Sequence, residues 1–162
     1  MKGTFRLAVL PTIAPYLLPR FFQQLSEKHT DLDIRMLEMK TAPTMAALQN
    51  GEIDAAIIAN QPTESNLQGD ILYYEQFFGY VAHNESIFKK DLIRTADIND
   101  ERLWLLDEGH CFRDQLMRFC QMEKVKVRQA AYRLGSLETF MRMVESGNGI
   151  TFIPELATLQ LS

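Results

Sequence analysis

A regular alternation of strand-like and helix-like apolar segments over the first 60 residues constrains this chain more than any other feature. Strand patterns at 5–10, 32–39 and 54–59 are separated by segments in which apolar side chains recur at helical spacing. Parallel strands need long crossover connections, which are usually helices. The β-α-β-α-β order therefore predicts a parallel sheet with helices on both of its faces.

Turn and capping residues mark the expected helix boundaries in this half of the chain. Thr12 stands between the first strand pattern and the first helix pattern. Thr41 occupies the position expected for the N-cap of the second helix, and Pro43 follows in its first turn. Asn50-Gly51 predicts the end of that helix.

The remaining residues predict a second α/β lobe. A polar loop at 60–70 leads into a long, aromatic-rich strand pattern at 71–82, in which Gly79 marks a bend. The further predicted elements are a strand at 104–106, a helix at 110–122, a helix that Ser136 caps and 147–149 ends, and a strand at 150–153. We assign 1–76 to the first lobe, 77–153 to the second, and 154–162 to the start of a return towards the first.

The charge of the chain argues against direct nucleic-acid binding by this segment. It carries 17 Lys and Arg against 21 Asp and Glu, whereas DNA binding requires clustered basic residues that displace counterions. The densest basic stretch, 124–133, is typical of a solvated surface. No apolar run reaches the length of a membrane span, and the first residues do not resemble a signal peptide. We expect a cytoplasmic protein with no membrane association, metal or cofactor.

The two cysteines, Cys111 and Cys120, lie nine residues apart in one short segment. This spacing matches neither zinc ligands nor the Cys-x-x-Cys motif of thiol oxidoreductases. One interpretation is that both are small buried apolar residues, as is common for cysteines. The other is that Cys111 is reactive, because it falls in the first turn of a predicted helix between His110 and Arg113. A helix start and neighbouring positive charge both favour the thiolate.

Helix geometry limits how these two cysteines could pair. Nine residues of α-helix rise about 13.5 Å and turn through about 900°, which places the two sulfurs on opposite faces. A disulfide needs Cα atoms about 4.4–6.8 Å apart. A Cys111–Cys120 bond would therefore require the segment to unwind, which is a property of a conformational switch rather than of a structural bridge.

Several motifs carry a resemblance to a known family. Gly-His-Cys-Phe-Arg-Asp-Gln at 109–115, with Phe-Cys at 119–120, closely resembles the redox loop of the OxyR-type regulators, the peroxide sensors among LysR-type transcriptional regulators. The stretch 11–19 resembles the opening motif of that family, and 136–139 and 147–154 are similar to the late helix and strand of LysR effector domains. The cysteine motif is specific to the peroxide sensors, whereas the others are specific only to the superfamily.

The resemblance implies an α/β fold with two lobes, the LysR effector-domain fold of the type 2 periplasmic-binding-protein kind, without the C-terminal part of the first lobe. It implies that Cys111 reacts with hydrogen peroxide and that Cys120 resolves the product into a reversible disulfide. The pocket residues that it implies are Thr12, Thr41, His110, Arg113 and Asp114.

The residues themselves leave alternatives open for this pocket. Helices predicted to begin near Thr12, Thr41, His110 and Ser136 all follow strands, so their N-termini gather where open α/β folds bind ligands. Helix capping is the alternative role for Thr12 and Thr41. A surface position is the alternative for His110, and a simple first-turn charge is the alternative for Asp114.

The resemblance also predicts the partners. It implies a homodimer, and a tetramer in a full-length protein that contacts DNA through an N-terminal winged-helix domain absent from this chain. We expect apolar surface around Phe88, Ile93 and Trp104 to form the two-fold contact. The predicted function is peroxide sensing by a regulator and not catalysis. The alternatives are a non-redox LysR effector domain, a solute-binding protein closing on a small anion, and a thiol peroxidase.

Overall fold

The computed structural model describes residues 3–60, 66–106, 111–119, 135–147 and 149–161. The chain divides into two compact units, Met1–Tyr74 and Glu75–Ser162. This division lies close to the boundary expected between 76 and 77. Residues 154–161, expected to start a return to the first lobe, belong to the second unit. None of the helices in the described ranges is long and apolar enough to cross a membrane.

The first unit is built on a three-stranded parallel sheet in the order β2-β1-β3. Its strands are β1 (Gly3–Val9), β2 (Leu32–Glu38) and β3 (Ala55–Ile57). The central strand β1 buries Leu7, Ala8 and Val9, as expected for a strand with neighbours on both sides. The parallel sheet predicted from the alternating pattern is confirmed.

Two helices connect these strands, α1 (Ala14–Lys28) and α2 (Thr41–Gln49). Ala47 of α2 packs with Ala8 of β1 and with Ile53. The predicted end of α2 is confirmed, since Asn50 is its C-cap and Gly51 follows with φ +70°. At that φ a glycine avoids the strain that a Cβ would cause.

The prediction that Thr41 is the N-cap of α2 is wrong. Lys40 is the N-cap, with the extended backbone that this position needs, and Thr41 is already the first helical residue. No side chain caps this helix end. The Thr44 hydroxyl instead donates to the carbonyl oxygen of Lys40 at 2.9 Å.

The second unit contains an antiparallel pair, β4 (Phe77–Val81) and β5 (Ile150–Pro154), in a register that places Phe77 opposite Pro154. The strand predicted at 71–82 is shorter than expected, because a ladder extends only as far as its partner and β5 has five residues. The strand predicted at 104–106 is not formed. Instead Leu103 makes a single parallel bridge to Ile150.

The second unit also contains helices among its described residues. They are α3 (Cys111–Phe119), α4 (Leu137–Glu145) and α5 (Glu155–Thr158), and 3₁₀ turns lie at Thr95–Asp97 and Asp100–Arg102. Ser136 caps α4 as predicted, because its hydroxyl oxygen accepts a hydrogen bond from the Thr139 amide. Helix α4 packs against β4 and β5 and buries Leu137, Phe140, Met141 and Val144.

The short helix α5 remains against the start of β4. The Glu155 amide donates to the Gln76 carbonyl oxygen at 2.9 Å, and the Glu155 carboxylate accepts from the Gln76 amide at 3.2 Å. The Glu75 carboxylate accepts from the Leu156 amide at 3.3 Å. These bonds explain why 154–161 stay with the second unit. Burial of the Glu75 carboxyl raises its pKa above the usual value.

Candidate functional site

Cys111 is the first residue of α3, and its side chain is buried at 5% exposure. Residues 107–110, which precede it, lie outside the described ones, so the expected position of this thiol at a helix start stays a prediction. Unpaired backbone amides and the helix dipole stabilise negative charge there. Three expected residues or contacts, namely His110, Cys120 and the Cys111–Cys120 pair, lie outside the described residues.

The inner face of α3 is held by aromatic and aliphatic packing. Phe112 is 5% exposed and Leu116 is 2% exposed, and their spacing of four places both on one side of the helix. The ring of Phe112 meets Phe77 of β4 edge to face, with ring centroids 4.9 Å apart and an interplanar angle of 77°. Aromatic pairs favour this arrangement. The residue after Cys111 therefore anchors the start of α3 to β4.

The two charged residues expected near the thiol have different surroundings. Arg113 is half-buried, and its Nη1 donates to the Leu106 carbonyl oxygen at 3.0 Å. Asp114 is exposed in the first turn of α3. An acidic side chain at this position stabilises a helix through its dipole, which is the alternative role considered for Asp114.

In the first unit, the two expected threonines follow parallel strands at the same edge of the sheet. Thr12 lies in the turn between β1 and α1 and is 5% exposed. Thr41 opens α2 after β2, and its hydroxyl oxygen is buried with no hydrogen-bond partner among the described residues. A buried polar group left unsatisfied costs about 1–3 kcal/mol. A polar ligand that bonded to the Thr41 hydroxyl would recover part of that energy.

Trp104 does not belong to an exposed contact surface. It is 8% exposed and stacks on Phe140 of α4, with ring centroids 6.1 Å apart. Ile93 is half-buried and lies over Gly79, where a Cβ would come within 2.6 Å of its Cδ1. Gly79 therefore leaves room for Ile93. Phe88 remains 50% exposed.

One contact residue was not identified from the sequence. Phe77 lies within the aromatic-rich stretch, but nothing in the pattern distinguishes it from Phe78. Strand alternation places these two side chains on opposite faces, and only a structure shows which face receives α3. In the described ranges, no group of three or more His, Cys, Asp or Glu side chains could hold a metal ion.

Residues 1–161 match the family described as LysR substrate binding domain. The chain belongs to this LysR family. A probable hydrogen peroxide-inducible genes activator of Mycobacterium leprae is 33% identical over 157 residues, which are 97% of this chain and 50% of the relative. The DNA-binding transcriptional dual regulator OxyR of Escherichia coli K12 is 32% identical over 97% of this chain and 51% of the relative. The chain thus spans about half the length of the curated relatives it matches.

Solved structures of OxyR are similar over nearly the whole chain. OxyR from Porphyromonas gingivalis is 56% identical with a TM-score of 0.89, covering 99% of this chain and 73% of that chain. Reduced OxyR from the same organism is 54% identical with a TM-score of 0.88, covering 99% and 72%. An H2O2-bound mutant of Corynebacterium glutamicum OxyR is 29% identical with a TM-score of 0.83, covering 94% and 48%. The LysR effector-domain fold and the resemblance to OxyR are confirmed.

Proposed function

We propose that this chain is the sensory domain of a hydrogen-peroxide-responsive LysR-type transcription regulator. The observation that carries the proposal is a cysteine buried as the first residue of a helix, in a chain 56% identical to an OxyR. A thiol at a helix start is favoured as the thiolate, which is the form that attacks peroxide.

The chemistry that we propose is a two-electron oxidation in two steps. The Cys111 thiolate attacks one oxygen of hydrogen peroxide. The S–O bond forms, the O–O bond breaks, and the leaving hydroxide takes a proton to become water. The Cys120 thiolate then attacks the sulfur of the sulfenic acid, so that the S–S bond forms and the second oxygen leaves as water. Two thiols are oxidised, and one peroxide is reduced to two waters.

The proposed conformational switch follows from the free energy that forming the Cys111–Cys120 disulfide costs. A helix that ran from 111 to 120 would keep the two sulfurs apart, so we expect oxidation to unwind α3 and to remove Phe112 and Leu116 from their buried positions. The bond must offset this lost packing. Its reduction potential is therefore more oxidising than that of a structural bridge, and cellular dithiols can reverse it.

Residues in each unit are proposed to recognise peroxide. In the first unit these are Thr12 and Thr41, and the buried Thr41 hydroxyl without a partner among the described residues supports a polar ligand there. In the second unit these are His110, Arg113 and Asp114, which the family resemblance implies.

The whole protein is proposed to act as a regulator and not as an enzyme. The Escherichia coli relative is named as a DNA-binding transcriptional dual regulator. DNA contact through an N-terminal winged-helix domain, a homodimer that becomes a tetramer in the full-length protein, and a cytoplasmic location are parts of the same proposal. A sensor needs to be oxidised once for each switching event, whereas a thiol peroxidase turns over continuously in the presence of reductant.

Mass spectrometry before and after a brief, low dose of hydrogen peroxide tests the cysteine assignment. We expect the protein to lose two hydrogens as the disulfide forms, and the Cys120→Ser variant to accumulate a sulfenic acid on Cys111 that a dimedone probe traps. The Cys111→Ser variant should not react. Equal labelling of both cysteines, or labelling of neither, would contradict the proposal.

Hydrogen exchange then locates the structural change. After the bond has been verified, amide protection across 112–119 should fall, while protection across α4 should stay the same and serve as the internal control. Unchanged protection across 112–119 in the oxidised protein would rule out an unwinding mechanism.

A further inference from the structure

Phe77 contacts α3, but it is not one of the site residues predicted from the sequence. It is the first residue of β4, and its ring meets the ring of Phe112, the residue next to Cys111, at 4.9 Å. Phe112 is 5% exposed and Phe77 is 36% exposed. The contact therefore joins a buried ring of α3 to a partly exposed ring of β4.

The backbone around Phe77 is held firmly. Phe77 pairs with Pro154 in the antiparallel ladder. The preceding residue, Gln76, donates its amide to the Glu155 carboxylate at 3.2 Å and accepts from the Glu155 amide at 2.9 Å. The strand thus holds the backbone of Phe77, and in the proposed switch it is Phe112 that leaves the contact.

We infer that Phe77 is a positioning residue that holds the first turn of α3 in the reduced protein and so sets how readily the disulfide forms. The inference rests on the proposed switch. The ring contact requires Phe112 to be in its helical position, and unwinding of 111–120 removes it. A contact made in only one of two states shifts the equilibrium between them by its own free energy.

The expected effect follows from the strength of aromatic pairs. An edge-to-face pair contributes enough beyond burial to change an equilibrium constant roughly 2- to 10-fold. Disulfide plus two electrons and two protons gives two thiols, so loss of the contact destabilises only the thiol form. The reduction potential of Cys111–Cys120 should become more negative by about 9 to 30 mV, since a tenfold change corresponds to about 30 mV.

The test measures this potential in mixtures of reduced and oxidised dithiothreitol, with alkylation and mass spectrometry to count thiols. Phe77→Ala should shift the equilibrium roughly 2- to 10-fold towards the disulfide. Phe78→Ala is the matched control, because Phe78 is the next residue of β4, is similarly exposed at 42%, and faces the other way. Phe77→Tyr keeps the ring and should restore the potential of the unmodified protein.

The reduction potential distinguishes a positioning role of Phe77 from a general effect on stability. A substitution that destabilises the reduced and oxidised forms equally leaves the reduction potential unchanged. Equal shifts in Phe77→Ala and Phe78→Ala, or no shift in Phe77→Ala, would overturn the inference while leaving the proposed switch intact. If the unmodified protein forms no Cys111–Cys120 bond with peroxide, the proposed switch fails and this inference fails with it.

Discussion

Helices α3 and α4 belong to the same unit, yet they are held in different ways. Each anchors one buried phenylalanine against an aromatic partner. Phe112 of α3 meets Phe77 edge to face, whereas Phe140 of α4 stacks on Trp104. The partner of α4 is itself buried at 8%, while the partner of α3 is 36% exposed.

Helix α4 is held at both of its ends. Helix α4 begins at a capping serine, Ser136, and is followed by Gly147 with φ +94°. Its last residue, Glu145, accepts a hydrogen bond from the Tyr80 hydroxyl of β4 at 2.8 Å. Helix α3 begins at a cysteine. The comparison shows one helix stabilised at both ends as a scaffold, beside another whose first turn carries the proposed chemistry.

The largest expected effect comes from truncating the two buried phenylalanines. Phe140→Ala should lower the free energy of unfolding by about 3–5 kcal/mol in both redox forms, because a buried aromatic ring is replaced by a cavity. Phe112→Ala should cost a similar amount in the reduced form and much less in the oxidised form, where α3 has unwound.

Urea denaturation of reduced and peroxide-oxidised protein measures both differences. The two variants serve as controls for each other, since each removes a buried phenylalanine ring from a helix of the same unit. An equal loss from Phe112→Ala in both redox forms would mean that α3 keeps its packing after oxidation, and the contrast between the helices would disappear.

These helices also show what could be predicted from the sequence. The apolar spacing in 137–144 and the capping serine predicted α4 correctly, because both signals are local. The helix predicted at 110–122 is present over 111–119, and both of its predicted ends lie outside the described residues. The length of β4 and the burial of Trp104 were not predicted, since they depend on partners distant in the chain: β5 for the strand and Phe140 for the ring.

Thr41, in the first unit, also shows what a local sequence signal cannot predict. A threonine before a first-turn proline fits the N-cap position, but Lys40 takes that position and leaves the Thr41 hydroxyl buried. A shift of one residue is below what a capping pattern can resolve. The fold class followed from periodicity, whereas the buried Thr41 hydroxyl became visible only in the structure.

A smaller effect is expected at the cap of α4. Ser136→Ala should lower the free energy of unfolding by about 1 kcal/mol, because the Thr139 amide loses its acceptor. Ser146→Ala at the other end is the matched control and should change it by less than about 0.5 kcal/mol, since the exposed Met143 carbonyl can bind water instead. Thermal or urea unfolding measures both. A redox-dependent effect of Ser136→Ala would show that α4 is not a fixed scaffold.

The hydrogen bond from Arg113 of α3 to Leu106 should contribute a comparable or smaller free energy of unfolding. Arg113→Gln removes the hydrogen bond to the Leu106 carbonyl oxygen and should cost the reduced form about 0.5–1.5 kcal/mol. Arg118→Gln is the control, because the exposed Arg118 bonds within its own helix, to the Asp114 carbonyl oxygen. Urea denaturation should separate the two variants in the reduced form and not in the oxidised form. The same loss from both would show that the link to Leu106 adds nothing to helix stability.

The smallest expected effect is the pH dependence of the link between α4 and β4. The Arg142 guanidinium, and then the Tyr80 hydroxyl, lower the pKa of the Glu145 carboxyl below its usual value of 4.5. These bonds favour the carboxylate although it lies at the negative end of the helix dipole. A carboxyl whose pKa is lower in the folded state adds stability above pH 4.5, and this contribution is lost as the pH falls through the folded pKa.

Glu145→Gln should therefore be slightly less stable than the unmodified protein at neutral pH, and the difference should vanish as the solution is made more acidic than the folded pKa. Tyr80→Phe removes only the second hydrogen bond and should show a weaker form of the same trend. Melting temperatures of the reduced proteins across this pH range measure it. A difference that stays constant or grows in acid would mean that Glu145 acts through packing and not through its charge. The comparison with α3 would then rest on the cap and the buried rings alone.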